Sequence, residues 1–264
     1  MIPTTATLGP IPAWVILWAV FLTAVGLFAW RVVFLIRLLR LGRPEKRWDR
    51  IPDRIKQVLI YVFGQRRLLD EPLVGIPHIL IFYGFLVFLM ATTGMLLQGL
   101  FPGVRIPGVE GNRYLAPVVD IFAVLVLGGL AVSSFRRFVI RPAGLQLTWD
   151  ATLVNLLIAS LMVTYLTAES FRLVAWPGES ALWVPFGRGL ADWFSRSEAL
   201  HASAPALYQG FWWAHVLIVL FFLAYLPYSK HMHLLASPFS VFFSRLDAPG
   251  RLPAPAPQTE RMGA

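Results

Sequence analysis

The chain of 264 residues contains no cysteine. That absence removes disulfides, thiolate zinc sites, iron-sulfur clusters, thiol nucleophiles and the C-x-x-C-H attachment of a covalent haem. Charge is scarce as well, at 14% of residues against 57% hydrophobic. With a mean hydropathy of +0.66, the chain is too apolar for a water-soluble enzyme. No Gly-rich phosphate loop, serine triad or metalloprotease signature occurs, and the isolated Gly187-Arg188-Gly189 is too little for a nucleotide site. A net charge of +9 would suggest nucleic acid in a soluble protein. In so apolar a chain it becomes a question of which loops carry it, and no nucleic-acid partner is expected.

What the sequence does have is five apolar stretches, approximately 13–36, 77–100, 115–135, 150–171 and 208–228. Each is long enough to cross a hydrocarbon layer of about 30 Å as a helix of about 20 residues. Unpaired backbone amides are too costly in lipid and strand alternation is absent, so the expected fold is an all-α integral membrane protein, a five-helix bundle spanning residues 1–246. The opening MIPTTATLGPIP lacks a basic n-region and leads into a span too long for a signal peptide core, so the first helix is expected to be retained. Residues 247–264, rich in proline and alanine, read as a disordered tail.

Seventeen of the 23 basic residues fall between the first two spans (Arg37 to Arg67), between the third and fourth (Arg136, Arg137, Arg141), or after the fifth. The positive-inside rule then sets the N-terminus outside and the C-terminus in the cytoplasm of a multi-pass cell-membrane protein. Trp14, Trp18, Trp176, Trp183, Trp193, Trp212 and Trp213 gather near the opposite boundary, as an aromatic belt would. In the first basic loop, Ile55, Val58, Leu59 and Val62 recur at i, i+3, i+4 and i+7 while Arg54, Lys56 and Gln57 turn away, the pattern of an interfacial helix over about 52–63. Residues 173–207 read as an outer lid with one short helix.

The histidines are five: His78, His201, His215, His231 and His233. At about 100° per residue, the steps from His215 to His233 make about five whole turns and a rise of about 27 Å, so the two share a face; His231 falls about 160° from it. Pro227 lies between and loosens that phase. His78 opens the second span and His233 closes the fifth at the same boundary. Two neutral imidazoles on facing helices are what a noncovalent b-type haem requires of its iron's axial positions. The bland alternative, a solvated or lipid-facing ring, is favoured for His201 and slightly for His231. For the other three histidines, ligation is the better reading, because ionisable groups inside membrane helices are seldom kept without function.

The run from His215 to His233, with Pro227 and Ser229-Lys230, resembles the last helix of the respiratory nitrate reductase gamma subunit. GQRRLLDEPLVGIPHILIFYGF and PYSKHMHLLASPFSVFF are similar to membrane cytochrome b domains that accompany heterodisulfide-reductase-like iron-sulfur proteins. The resemblance implies that His78 and His233 hold a haem b nearer the cytoplasm, and that electrons pass between a cytoplasmic iron-sulfur protein and membrane quinone, menaquinone by the same likeness. The nitrate reductase pattern has a further ligand ten residues after the first, paired with the counterpart of His215; here that position is Phe88. His215 therefore either holds a second haem, five-coordinate or completed by His201, Met90 or Met95, or lines a quinone pocket.

Asp120 reads equally well as a proton relay or quinone contact and as an interfacial acid facing water. Glu169 and Arg172 read best as a plain helix-end ion pair. Arg136, Arg137 and Lys230 are candidates to neutralise haem propionates. Gly75, Gly84, Gly128 and Gly129 allow close approach of a ring or a neighbouring helix. The expectation is a haem b membrane subunit, with one haem or two, docking a Cys-rich iron-sulfur subunit on its basic loop, a loop equally suited to anionic lipid. His231 and Asp120 are its quinone or proton candidates. Its rivals are a nitrate reductase gamma subunit and a haem-free anchor or metal transporter using His231-x-His233.

Overall fold

A computed structural model describes residues 3–8, 10–104, 114–143, 147–178 and 183–246. Its helices are α1 (Ala13–Leu39), α2 (Ile51–Gln57), α3 (Pro72–Leu100), α4 (Leu115–Phe135), α5 (Trp149–Ala175), α6 (Pro185–Phe194), α7 (Glu198–Tyr225) and α8 (His233–Phe242). Five of them, α1, α3, α4, α5 and α7, are long and apolar enough to cross a membrane. Two antiparallel two-residue strands, β1 (Thr7–Leu8) and β2 (Ile11–Pro12), precede α1.

The five long helices close a ring: α1 packs on α3, α3 on α4, α4 on α5, α5 on α7, and α7 back on α1. Two apolar clusters fill it. One gathers Phe88, Val126, Ile158 and Met162 from α3, α4 and α5; the other joins Leu17, Leu100, Trp212 and Leu220 from α1, α3 and α7. Close approach of α3 and α4 depends on glycine: a Cβ on Gly84 would clash with Val126 Cγ2, and one on Gly129 would meet the Pro77 carbonyl oxygen at 3.1 Å. On α1 only Ala13, Leu17 and Ala24 are buried. A helix so apolar with so little of it enclosed by protein has a surface suited to lipid.

The chain alternates direction, so the α1–α3 connection, the α4–α5 connection and everything after α7 lie at one end of the ring, here called the basic end. There α2 runs into a π-helical turn (Val58–Phe63), and α8 packs against both. At the opposite end α6 packs on α4 and α5.

Several boundaries differ from the sequence reading. Helix α3 begins at Pro72 rather than near 77, with Pro77 buried inside it, and α7 begins at Glu198, absorbing ten residues of the expected lid. The larger correction is that α7 ends at Tyr225. A 3-10 turn (Leu226–Tyr228), extended Ser229 (φ −99°, ψ 167°) and a second 3-10 turn (Lys230–Met232) separate it from α8. The unbroken five-turn phase between His215 and His233 therefore does not exist, because Pro227 supplies no N–H to continue the ladder.

The interfacial helix sits close to where it was expected, with Val62 buried and Lys56 exposed as expected, but Arg54 turns the other way. Arg54, expected outward, is 3% exposed, while Ile55 and Leu59 are 48% and 56% exposed. The guanidinium turns inward because the end of α8 presents unpaired carbonyls. Arg54 donates to the carbonyls of Phe242 (2.7 Å), Ser244 (2.9 Å) and Asp49 (2.8 Å), and to the Asp49 carboxylate (2.8 Å). Arg47 donates to the Phe243 carbonyl. The hydrogen bond from Arg54 holds the Asp49 carboxyl below its ordinary pKa. The expected disordered tail, 247–264, lies outside the described residues.

Candidate functional site

At the basic end the ring holds a cavity of about 620 Å³, within the range of small-molecule and cofactor sites. Its apolar walls come from the long helices, Ile81, Phe85 and Phe88 on α3 and Ile158 and Met162 on α5 among them. Its mouth is polar, with Gln57, Arg67, Ser237, Ser240 and Ser244, and its roof is α8 over the π-helical turn.

His78 and His233 face each other across this space, their ring centres 6.2 Å apart and their planes inclined by 40°. His78 is positioned by the second turn of α3; its Nδ1 is buried and has no hydrogen-bond partner among the described residues. His233 is the first residue of α8, and its Nδ1 lies 2.7 Å from the Lys230 carbonyl oxygen. A carbonyl only accepts, so Nδ1 carries the proton and Nε2 is left with its lone pair.

His231 lies in the same cavity, with its ring centre 5.3 Å from that of His233 and 5.6 Å from Phe222. The helical phase had turned it away; the break after α7 returns it. Burial pushes its pKa down to about 4, with a smaller push from His233, so the ring is neutral at pH 7. Arg67 stands at the mouth, 5.1 Å from the ring centre of Tyr61, whereas Arg136, Arg137 and Lys230 are not among the lining residues.

His215 is placed differently. It is 4% exposed on α7, and its Nδ1 lies 3.1 Å from the Leu161 carbonyl oxygen and 3.0 Å from Thr164 Oγ1. Its ring is 6.5 Å from Tyr165, which stands edge-on to Phe88 at 5.3 Å. The residue at the departure from the nitrate reductase pattern is thus packed through an aromatic neighbour toward His215, and His215 is not among the cavity walls.

Asp120 is fully buried and faces neither the cavity nor water. Its two oxygens accept the N–H groups of Phe186 (2.7 Å) and Gly187 (3.0 Å), the first turn of α6. A carboxylate at a helix N-terminus meets unpaired donors and the positive end of the dipole. Asp120 therefore anchors α6 to α4. Glu169 and Arg172 form the expected ion pair, with bonds of 2.6 and 2.8 Å.

Sequence reasoning passed over Asp150 and turned Arg54 the wrong way. The first was a bare acid at a span boundary, and the second was one basic residue among ten in its loop. An acid in the first turn of a helix facing a proline break is the one signal that pointed to Asp150.

Comparison with known proteins gives two relatives. The chain is 32% identical over 237 residues to the probable iron-sulfur-binding oxidoreductase FadF of Bacillus subtilis, covering 87% of this chain and 32% of that protein. It is 29% identical over 212 residues to the EtfAB:quinone oxidoreductase of Syntrophomonas wolfei, covering 75% of this chain and 29% of that one. The chain thus spans about a third of the length of the curated relatives it matches. No protein-family profile and no solved structure matches it. The chain is similar to oxidoreductases that carry electrons, and its five apolar helices are compatible with a multi-pass membrane protein.

Proposed function

We propose that this chain is a haem b membrane subunit that passes electrons between an iron-sulfur oxidoreductase at its basic end and quinone in the membrane. The observation that carries this reading is the His78–His233 pair across the cavity. Two imidazoles sharing one metal ion would have ring centres up to about 6.2 Å apart, taking about 2 Å for the metal–nitrogen bond and about 1.1 Å from nitrogen to ring centre. The observed 6.2 Å fits that arrangement, and the unpartnered, buried His78 Nδ1 is the kind of orphan a ligand interaction would satisfy.

A b-type haem, when bound, supplies a one-electron carrier inside an otherwise insulating apolar layer. The chain's own residues do the rest. His78 and His233 would hold the group through their ring nitrogens. The Lys230 carbonyl fixes the His233 tautomer. Ile81, Phe85, Phe88, Ile158 and Met162 exclude water, and Arg67 with Gln57, Ser240 and Ser244 offers a cation and hydrogen bonds to carboxylates at the mouth. His215, packed against Tyr165 outside the cavity, is assigned no haem, so one haem per chain is proposed.

The basic end faces the cytoplasm by the positive-inside rule, with the N-terminus outside, in the cell membrane. Its arginine-rich loop is the docking face for the Cys-rich partner, and the names of the two relatives, one iron-sulfur-binding and one acting on quinone, support both ends of the path. The same loop rests on membrane lipid. Of the two proton or quinone candidates, His231 keeps the position for it by lining the cavity. The test is to add a reduced menaquinone analogue to the chain purified in nanodiscs and record the visible spectrum. A reduced b-type band is expected to rise; the absence of such a band, or one indifferent to quinol, would overturn the reading.

A further inference from the structure

We infer that Asp150 is the positioning residue that aims His233 into the cavity, an inference that rests on the haem reading above. Between Tyr225 and His233 the chain leaves helical geometry, and a break of this kind needs partners for the amides it strands. Asp150, in the first turn of α5, supplies one of them and holds the end of α7 as well. Its Oδ1 accepts the Tyr225 hydroxyl at 2.6 Å, where α7 ends, and its Oδ2 accepts the Lys230 N–H at 3.1 Å, where the second turn begins. The Lys230 carbonyl then accepts His233 Nδ1–H at 2.7 Å.

Residue 230 is thereby held on both sides of its backbone, the N–H by the α5 carboxylate and the carbonyl by the imidazole. A carboxylate bond to an N–H is charge-assisted and stronger than a neutral one. It fixes the carbonyl that chooses the proton-bearing nitrogen of His233 and the plane of its ring. Two further contacts brace the same segment: Ser229 Oγ accepts the His231 N–H at 3.1 Å, and Lys230 Nζ lies 3.5 Å from Thr148 Oγ1, beside Asp150 on α5. Asp150 itself is not among the residues lining the cavity, so it acts only through the break. With the far end of α8 held by Arg54, the Asp150 carboxylate fixes the near end, where the proline interruption delivers His233.

Substitution of groups that orient a metal ligand typically weakens binding by about 10–100-fold. The experiment uses the full-length chain in nanodiscs, stripped of haem and titrated with haemin, for the unaltered protein, Asp150→Ala, Asp150→Asn and Tyr225→Phe. Haemin affinity is read from the Soret band, and the inclination of the two ligand planes from the low-spin ferric EPR g values. Asp150→Ala is expected to weaken haemin about 10–100-fold and to shift the g values. Tyr225→Phe keeps the Lys230 bond and is expected to shift both less, with Asp150→Asn between. Asp120→Ala, which releases α6, serves as the control: it lowers the melting temperature without moving the g values. Unchanged affinity and g values in Asp150→Asn and Tyr225→Phe would overturn the inference even if Asp150→Ala fails to fold. An unaltered chain that takes up no haemin would instead overturn the haem reading beneath it.

Discussion

Two regions of the helical ring use buried polar groups for opposite purposes. Away from the basic end, Asp120 is matched to two backbone amides and Glu169 to Arg172, and midway along the ring His215 meets the Leu161 carbonyl and Thr164. At the basic end, His78 is buried with an unmatched nitrogen, His231 and His233 face the same cavity, and the helix that delivers them is broken. A buried histidine alone is no sign of a site; a site is marked by nitrogen that protein has left available. The cost of an unsatisfied buried group makes that difference informative.

The largest effect expected follows directly. His78→Ala and His233→Ala should each abolish the same b-type band in full, whereas His215→Ala should leave haem content unchanged, as read by the absorption of the purified variants. Loss of the band only in His215→Ala would mean that the wrong histidines have been assigned.

Asp120→Ala strands the N–H groups of Phe186 and Gly187 and should cost about 2–4 kcal/mol, read as a lowered melting temperature in detergent with the haem spectrum retained. If the spectrum collapsed with little change in melting, Asp120 would belong to the redox site rather than to α6. At the basic end the comparable fastening is Arg54. Arg54→Gln removes charged donors from the Phe242 and Ser244 carbonyls and should destabilise α8 by about 1.5–3 kcal/mol, seen as faster amide exchange across 233–244. Unchanged exchange there would show that α8 is held by apolar packing alone. The smallest effect is expected from His231→Gln, which should keep full haem content with only a slight spectral shift, since its ring neighbours the pair without belonging to it.

The five crossings were legible because a membrane span declares itself in composition: about 20 apolar residues admit few alternatives to a helix. The juxtaposition of residues 78 and 233 was legible from their shared boundary, though the helical phase used to rank His233 over His231 was not valid across Pro227. What stayed hidden was set by tertiary partners. Whether Arg54 turned out or in depended on carbonyls of Phe242 and Ser244, roughly 190 residues away in sequence. Asp120 found its donors in a helix whose start only the folded chain defines. Periodicity orders residues within one element, and it carries no information about which remote backbone group will need a partner.

The most direct test is the haem content of the purified chain, assayed as the pyridine haemochrome and divided by polypeptide from amino-acid analysis. One b-type haem per chain is the expected value; a cofactor-free chain would remove the basis for the His78–His233 centre, and two haems would return His215 to the ligands.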